Sequence, residues 1–166
     1  WAAGVNYKLG DFSIGAIDYY SDDIINIFYT EANYKFALAD KREFRLAAQY
    51  SDQQAVGNNL LAGADFSADQ IGLKAEYSAG PALLTAAYTT TGDGANMRNP
   101  WSGYPGFTSV QVEDFNRAGE DAWMLRVGYK FPKVPGLNIY ALWVSGSSPD
   151  APASFARDEY DLNLQW

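Results

Sequence analysis

The chain has 166 residues, with 12 Lys and Arg against 20 Asp and Glu for a net charge of −8; the length fits one domain, and the acidic balance excludes a nucleic-acid partner. It contains no Cys and no His, which removes disulfides, thiolate metal sites, the commonest general base and most zinc chemistry. An enzyme, a metal site and a cofactor are therefore not expected.

The chain starts at Trp1 with no charged or apolar leader, so any signal peptide is expected to have been removed. No apolar run approaches the roughly 18–20 residues of a membrane helix, which leaves open a membrane barrel, whose signal per strand is weak.

Alternation with a period of two predicts nine strands, over about 1–9, 12–20, 24–36, 43–52, 69–78, 82–91, 121–131, 137–146 and 158–166. The second is irregular across Ile17, Asp18, Tyr19 and Tyr20, where a bulge is expected. In the fourth, Phe44, Leu46, Ala48 and Tyr50 share one face and Arg45, Ala47, Gln49 and Ser51 the other. The fifth sets Ile71, Leu73, Ala75 and Tyr77 against Gln70, Gly72, Lys74 and Glu76. The seventh sets Trp123, Leu125, Val127, Tyr129 and Phe131 against Met124, Arg126, Gly128 and Lys130. The eighth is ambiguous, because Leu142 and Val144 fall on the face expected to be polar. The ninth alternates cleanly, with Tyr160, Leu162, Leu164 and Trp166 on one face.

Short turns (Leu9-Gly10-Asp11, 37–42, Ala79-Gly80-Pro81 and 132–136) alternate with long connections at about 53–68, 92–120 and 147–157, the layout of an outer-membrane barrel; only Ser21-Asp22-Asp23 breaks the long series. The short turns are expected on the periplasmic side. The long loops and adjoining strand ends hold thirteen acids, Asp22, Asp23, Asp52, Asp65, Asp69, Asp93, Glu113, Asp114, Glu120, Asp121, Asp150, Asp158 and Glu159, against three bases, Arg98, Arg117 and Arg157. Nine of the 12 basic residues thus lie in strands or short turns, while the apolar faces of the clear strands carry no charge. Aromatic residues gather near both strand ends, as at the two membrane interfaces: Phe12, Tyr34, Phe36, Phe44, Tyr77, Tyr129 and Phe131 at one, Phe28, Tyr50, Tyr88, Trp123, Trp143 and Tyr160 at the other. The competing architecture is a soluble β-sandwich, whose strands also alternate.

Nine is an odd number for a barrel that closes with an even count and both termini on the periplasmic side. The expectation is therefore an all-β, antiparallel transmembrane barrel segment spanning residues 1–166 as a single unit of a longer barrel. The alternative is a complete eight-stranded barrel with a structural or adhesion role, in which one strand is false.

Asp18-Tyr19-Tyr20-Ser21-Asp22-Asp23-Ile24-Ile25-Asn26-Ile27-Phe28-Tyr29-Thr30-Glu31-Ala32 resembles a segment of OprD-family porins, outer-membrane carboxylate channels of Gram-negative bacteria. So does 99–109, Asn-Pro-Trp-Ser-Gly-Tyr-Pro-Gly-Phe-Thr-Ser, followed by Asp114-Phe115-Asn116-Arg117-Ala118-Gly119-Glu120. The resemblance runs over essentially the whole chain. It implies a barrel of about 16–18 strands, located in the outer membrane, with a lumen for small carboxylate solutes such as organic acids or amino acids. Outer-membrane lipid is the other implied partner, and a homo-oligomer stays open.

By the strand register, Lys8, Lys35, Arg45, Lys74, Arg126 and Lys130 face the lumen. The resemblance implies a basic ladder for carboxylates, and these positions are its candidates, Arg45, Lys74 and Arg126 foremost. Lys8, Lys35 and Lys130 lie nearer the rim. Glu31, Glu76 and Asp161 face the same way, so some cations are expected to be neutralised by acids. The 92–120 loop is long enough to enter the pore, with Asn99, Trp101, Tyr104 and Arg117 as constriction candidates; the alternative is a cover over the barrel mouth. Thr91-Gly92-Asp93-Gly94 is no phosphate loop, since neither helix nor Lys follows. Asp22-Asp23 alone is too weak a signal for a cation.

Overall fold

A computed structural model describes residues 1–101, 103–148 and 155–166. Ser102 and residues 149–154 lie outside the described residues, so Asp150 and part of the expected 147–157 connection are not placed. Nine strands form one antiparallel sheet in sequence order: β1 (Ala2–Leu9), β2 (Phe12–Ser21), β3 (Ile25–Ala37), β4 (Arg42–Gln54), β5 (Ser67–Ala79), β6 (Ala82–Thr91), β7 (Asp121–Lys130), β8 (Asn138–Ser148) and β9 (Phe155–Gln165). The only helical turn among the described residues is a 3₁₀ turn at Ala39–Lys41.

All nine expected strands are present, so the eight-stranded alternative fails, and a single sheet rules out the sandwich. β1 and β9 are the two edges of the sheet and do not pair with each other. β4 and β5 run further than alternation predicts, because the Gln53–Ala68 and Gln54–Ser67 pairs extend the ladder into polar sequence. The connection between them shrinks to 55–66.

The expected bulge in β2 is absent. Its pairing with β1 and β3 is continuous, Ile17 facing both Gly4 and Tyr29, and Tyr19 both Ala2 and Ile27. Alternation breaks there for another reason: Ile17 and Tyr19 lie on the inner face, where they border a cavity with Pro100, Trp101 and Pro105 of the 92–120 loop.

Opposite residues of an antiparallel ladder share a face, so the register sorts every strand. Leu46, Ala48, Tyr50, Ile71, Leu73, Ala75, Leu125, Val127 and Tyr129 fall on one face, with Leu73 56% and Val127 57% exposed. An exposed apolar sheet face of this extent marks contact with lipid or another apolar partner. Rings on or beside it meet at both ends: Tyr34–Phe36 at 4.6 Å and Tyr129–Phe131 at 5.1 Å near the short turns, Tyr88–Trp123 at 4.5 Å near the long loops.

The other face is inner, because the 92–120 loop folds onto it. Phe107 and Phe115 from that loop pack with Ala47, Ala87, Ala122, Met124, Leu142 and Val144 of the wall. This resolves the ambiguity of β8: Leu142 and Val144 do lie on the inner face, as the floor under the loop. Burying each phenylalanine ring contributes about 1.5–3 kcal/mol.

Candidate functional site

The loop is held to the wall by hydrogen bonds from its whole length. Gln53 and Arg98 exchange a reciprocal pair, Arg98 N–H donating to Gln53 Oε1 at 2.7 Å and Gln53 Nε2 to the Arg98 carbonyl at 2.9 Å. Tyr104 Oη donates to Gln70 Oε1 at 3.0 Å. The hydroxyls of Thr89 and Thr108, both fully buried, lie 2.6 Å apart. Val112 and Glu113 N–H donate to the Glu159 carboxylate at 3.0 and 2.9 Å. The loop therefore lines the inner face instead of covering the mouth.

The loop candidates separate once placed. Tyr104 is 5% exposed, and burial pushes its phenol up from the ordinary value. Trp101 stays half exposed and packs on Tyr19 at 5.0 Å between ring centres. Asn99 Nδ2 donates to Asp114 Oδ2 at 2.8 Å, an internal tie of the loop. Arg117 has an exposed side chain, and its N–H donates to Glu120 Oε2 at 2.9 Å. Asp23, weighed as a cation ligand, instead accepts the Asn58 N–H of the β4–β5 connection at 2.8 Å.

All six basic candidates stand on the inner face. Lys8 pairs across the ladder with Ser13, Lys35 with Arg45, Arg45 with Glu76 and Lys130 with Asn138. Their surroundings divide them. Lys35 Nζ lies 3.1 Å from Glu43, and Arg45 lies 3.6 Å from Glu43 and 3.7 Å from Glu76. Two cations and two acids thus form one neutral network toward the short-turn end. Lys8 and Lys130 are exposed, near the rim.

Lys74 and Arg126 differ. Among the described residues neither makes an ion pair. Each sits over an aromatic ring: Lys74 Nζ is 4.1 Å from the centre of Phe107, and the Arg126 guanidinium carbon 3.9 Å from that of Tyr140. Their cross-strand neighbours, Ala47 and Ala87 for Lys74, Thr85 and Leu142 for Arg126, carry no charge. Both cations border an inner cavity of about 450 Å³ with Phe107, Gln111, Tyr140, Glu31, Glu76 and Asp161.

The acids of that cavity are also unequal. Glu31 accepts from Tyr29 Oη at 2.7 Å and from Asn33 Nδ2 at 2.8 Å. Glu76 belongs to the Arg45 network. Asp161 is one cross-strand step from Leu142, which separates it from Arg126. The wall thus presents two cations that make no ion pair among the described residues, in a space narrowed by a docked loop.

Phe107, Tyr140, Gln70 and Thr108 escape strand-pattern reasoning. The one trace they leave is the apolar residues on the polar face, Ile17, Tyr19, Leu142 and Val144, which mark where the loop lands.

A family model described as outer membrane porin, OprD family, matches residues 2–165. No curated protein sequence matches the chain. Among solved structures, Pseudomonas aeruginosa OccK9 (OpdG) is similar with a TM-score of 0.88 and 20% identity, over 98% of this chain and 43% of that one. Pseudomonas aeruginosa OccK2 (OpdF) in complex with glucuronate is similar with a TM-score of 0.89 and 15% identity, over 98% and 46%. Pseudomonas aeruginosa OpdK with vanillate is similar with a TM-score of 0.85 and 16% identity, over 98% and 44%. The chain spans less than half the length of these solved proteins, so its nine strands match about half of a larger barrel.

Proposed function

The chain belongs to the OprD family of outer-membrane porins of Gram-negative bacteria, channels and not enzymes, and on that premise we propose that its barrel passes small carboxylate-bearing solutes by passive diffusion along Lys74 and Arg126. The observation that carries this reading is the division of the inner cations. Lys35 and Arg45 are matched by Glu43 and Glu76, whereas Lys74 and Arg126 rest on rings and make no ion pair among the described residues. A carboxylate drawn to either cation need not displace a resident acid.

The docked loop narrows the route at this level, so a solute passes close to both cations. Across the sheet they stand two strands apart and two residues apart along them, roughly 10 Å by 7 Å from the spacing of strands and residues. An organic acid, or an amino acid through its carboxylate, can leave one cation as it meets the next. The structures with glucuronate and vanillate show carboxylates in relatives of the same fold and support this class of solute. The short turns are assigned to the periplasmic end, and the apolar face to lipid.

The test is carboxylate flux into proteoliposomes carrying the complete barrel. Replacing Lys74 and Arg126 together with Gln should lower monocarboxylate uptake and move the zero-current potential in a salt gradient toward cation preference. Normal insertion with unchanged uptake and unchanged selectivity would remove both residues from the pathway.

A further inference from the structure

Lys74 stands in the middle of the wall, on β5, with acids in reach on the same face. Glu76 lies two residues along the same strand and borders the same cavity as Lys74 and Glu31. A flexible four-carbon side chain would ordinarily settle against one of these carboxylates, as Lys35 does against Glu43. Instead its ammonium lies over Phe107, 4.1 Å from the ring centre.

Phe107 is well placed to hold it. The ring belongs to the loop and is 8% exposed, packed with Met124 and with Ala47 and Ala87, the residues that flank Lys74 on the neighbouring strands. The next loop residue, Thr108, is pinned to Thr89 of β6, so the loop cannot slide without breaking a buried contact. The ring is therefore a fixed negative face presented to a mobile cation. An aromatic face attracts an ammonium without cancelling its charge, and more strongly where water is scarce.

We infer that Phe107 is a positioning residue for transport: its ring face holds the Lys74 ammonium in the pathway and away from the carboxylates of the same wall. This rests on the reading of Lys74 as a pathway cation. In this arrangement the loop does more than narrow the pore. It decides whether one of the pathway charges stays available to a solute or is neutralised by Glu76 or Glu31.

The experiment replaces Phe107 by mono-, di- and trifluorophenylalanine in the complete barrel, which drains the ring face of electron density at nearly constant size. Half-saturation by a monocarboxylate and the zero-current potential are read in a planar bilayer, beside Phe107→Tyr, Phe107→Leu and Lys74→Met. The expected result is a graded rise in half-saturation, about threefold across the fluorinated series, with a matching drift toward cation preference. Phe107→Tyr should stay near wild type, and the series should go flat in a Lys74→Met background. If Phe107→Leu disturbs conduction while the fluorinated series does nothing, the ring is packing only and the inference falls. If Lys74→Met itself leaves half-saturation and selectivity unchanged, it is the pathway role of Lys74 that fails.

Discussion

Arg157 of β9 grips Glu120 at the base of the inner loop with two hydrogen bonds, Nε to Oε1 at 2.9 Å and Nη2 to Oε2 at 2.7 Å. Glu120 is fully buried, and the same guanidinium also meets Glu113 and lies 4.7 Å from the Phe115 ring centre. Glu120 further accepts the Arg117 N–H. The far end of the loop is thus fixed from a strand that follows it by more than thirty residues, since Arg157 and Glu120 are 37 apart.

Removing one partner of such a pair leaves a buried charge without compensation, at a cost of about 3–5 kcal/mol. Arg157→Met should therefore loosen the loop, seen as increased current noise in single-channel records and faster proteolysis within 92–120. Pairing it with Glu120→Gln should recover part of the loss, because the stranded charge is gone. Equal noise in both variants would mean that the pair does not anchor the loop.

Tyr104 predicts an alkaline limit. Burial raises its phenol above the ordinary value near 10. A group whose folded value is raised contributes stability that is complete below its unfolded value and fades as pH climbs from there toward the folded one. The loop should stay docked up to about pH 10 and weaken above it. In a spectrophotometric titration Tyr104 should ionise later than the exposed tyrosines. Tyr104→Phe removes the Gln70 bond, a loss of about 1 kcal/mol, and should lower the amplitude of the late ionisation by one tyrosine; an unchanged late amplitude in that variant would take Tyr104 out of it.

Arg45 and Lys74 should respond differently to the same change. Arg45 is tied to Glu43 and Glu76, so Arg45→Gln should leave half-saturation by a monocarboxylate within about twofold, as expected for an exposed, mutually screened pair. Lys74→Gln should raise it by more. Equal rises would show that the network toward the short turns binds solute as well.

Gly146 marks a close approach. A Cβ there would sit 2.6 Å from the Phe115 ring, on the cross-strand partner of Arg157. Gly146→Ala should overpack this junction by about 1–3 kcal/mol and lower the temperature at which the barrel loses its compact gel mobility. Gly128 is the contrast, because its nearest neighbours would lie at 3.9 Å. Gly128→Ala should be nearly silent.

Much of the sheet was legible because a period of two needs only local sequence. Clean alternation in β5, β7 and β9 places Leu73 and Lys74 on opposite faces, and the ladder agrees. Alternation was misleading in β2 and β8, where Ile17, Tyr19, Leu142 and Val144 turn inward under a loop distant in sequence. Long-range pairs such as Gln53–Arg98 and Gln70–Phe115, each 45 residues apart, leave no periodic trace. For the same reason, Arg45 stood beside Lys74 and Arg126 in the sequence as a foremost candidate, and its ties to Glu43 and Glu76 were not visible there. Which of them lies by an acid and which by a ring depends on the loop and on cross-strand register.

The anchoring of the inner loop by β9 also bears on the order of assembly. The loop lies between β6 and β7, yet Glu159 and Arg157, two of its holdfasts, belong to the ninth strand. A barrel built by adding hairpins leaves this loop incompletely tethered through two further strands. The loop gains its full set of anchors only when β9 joins the sheet.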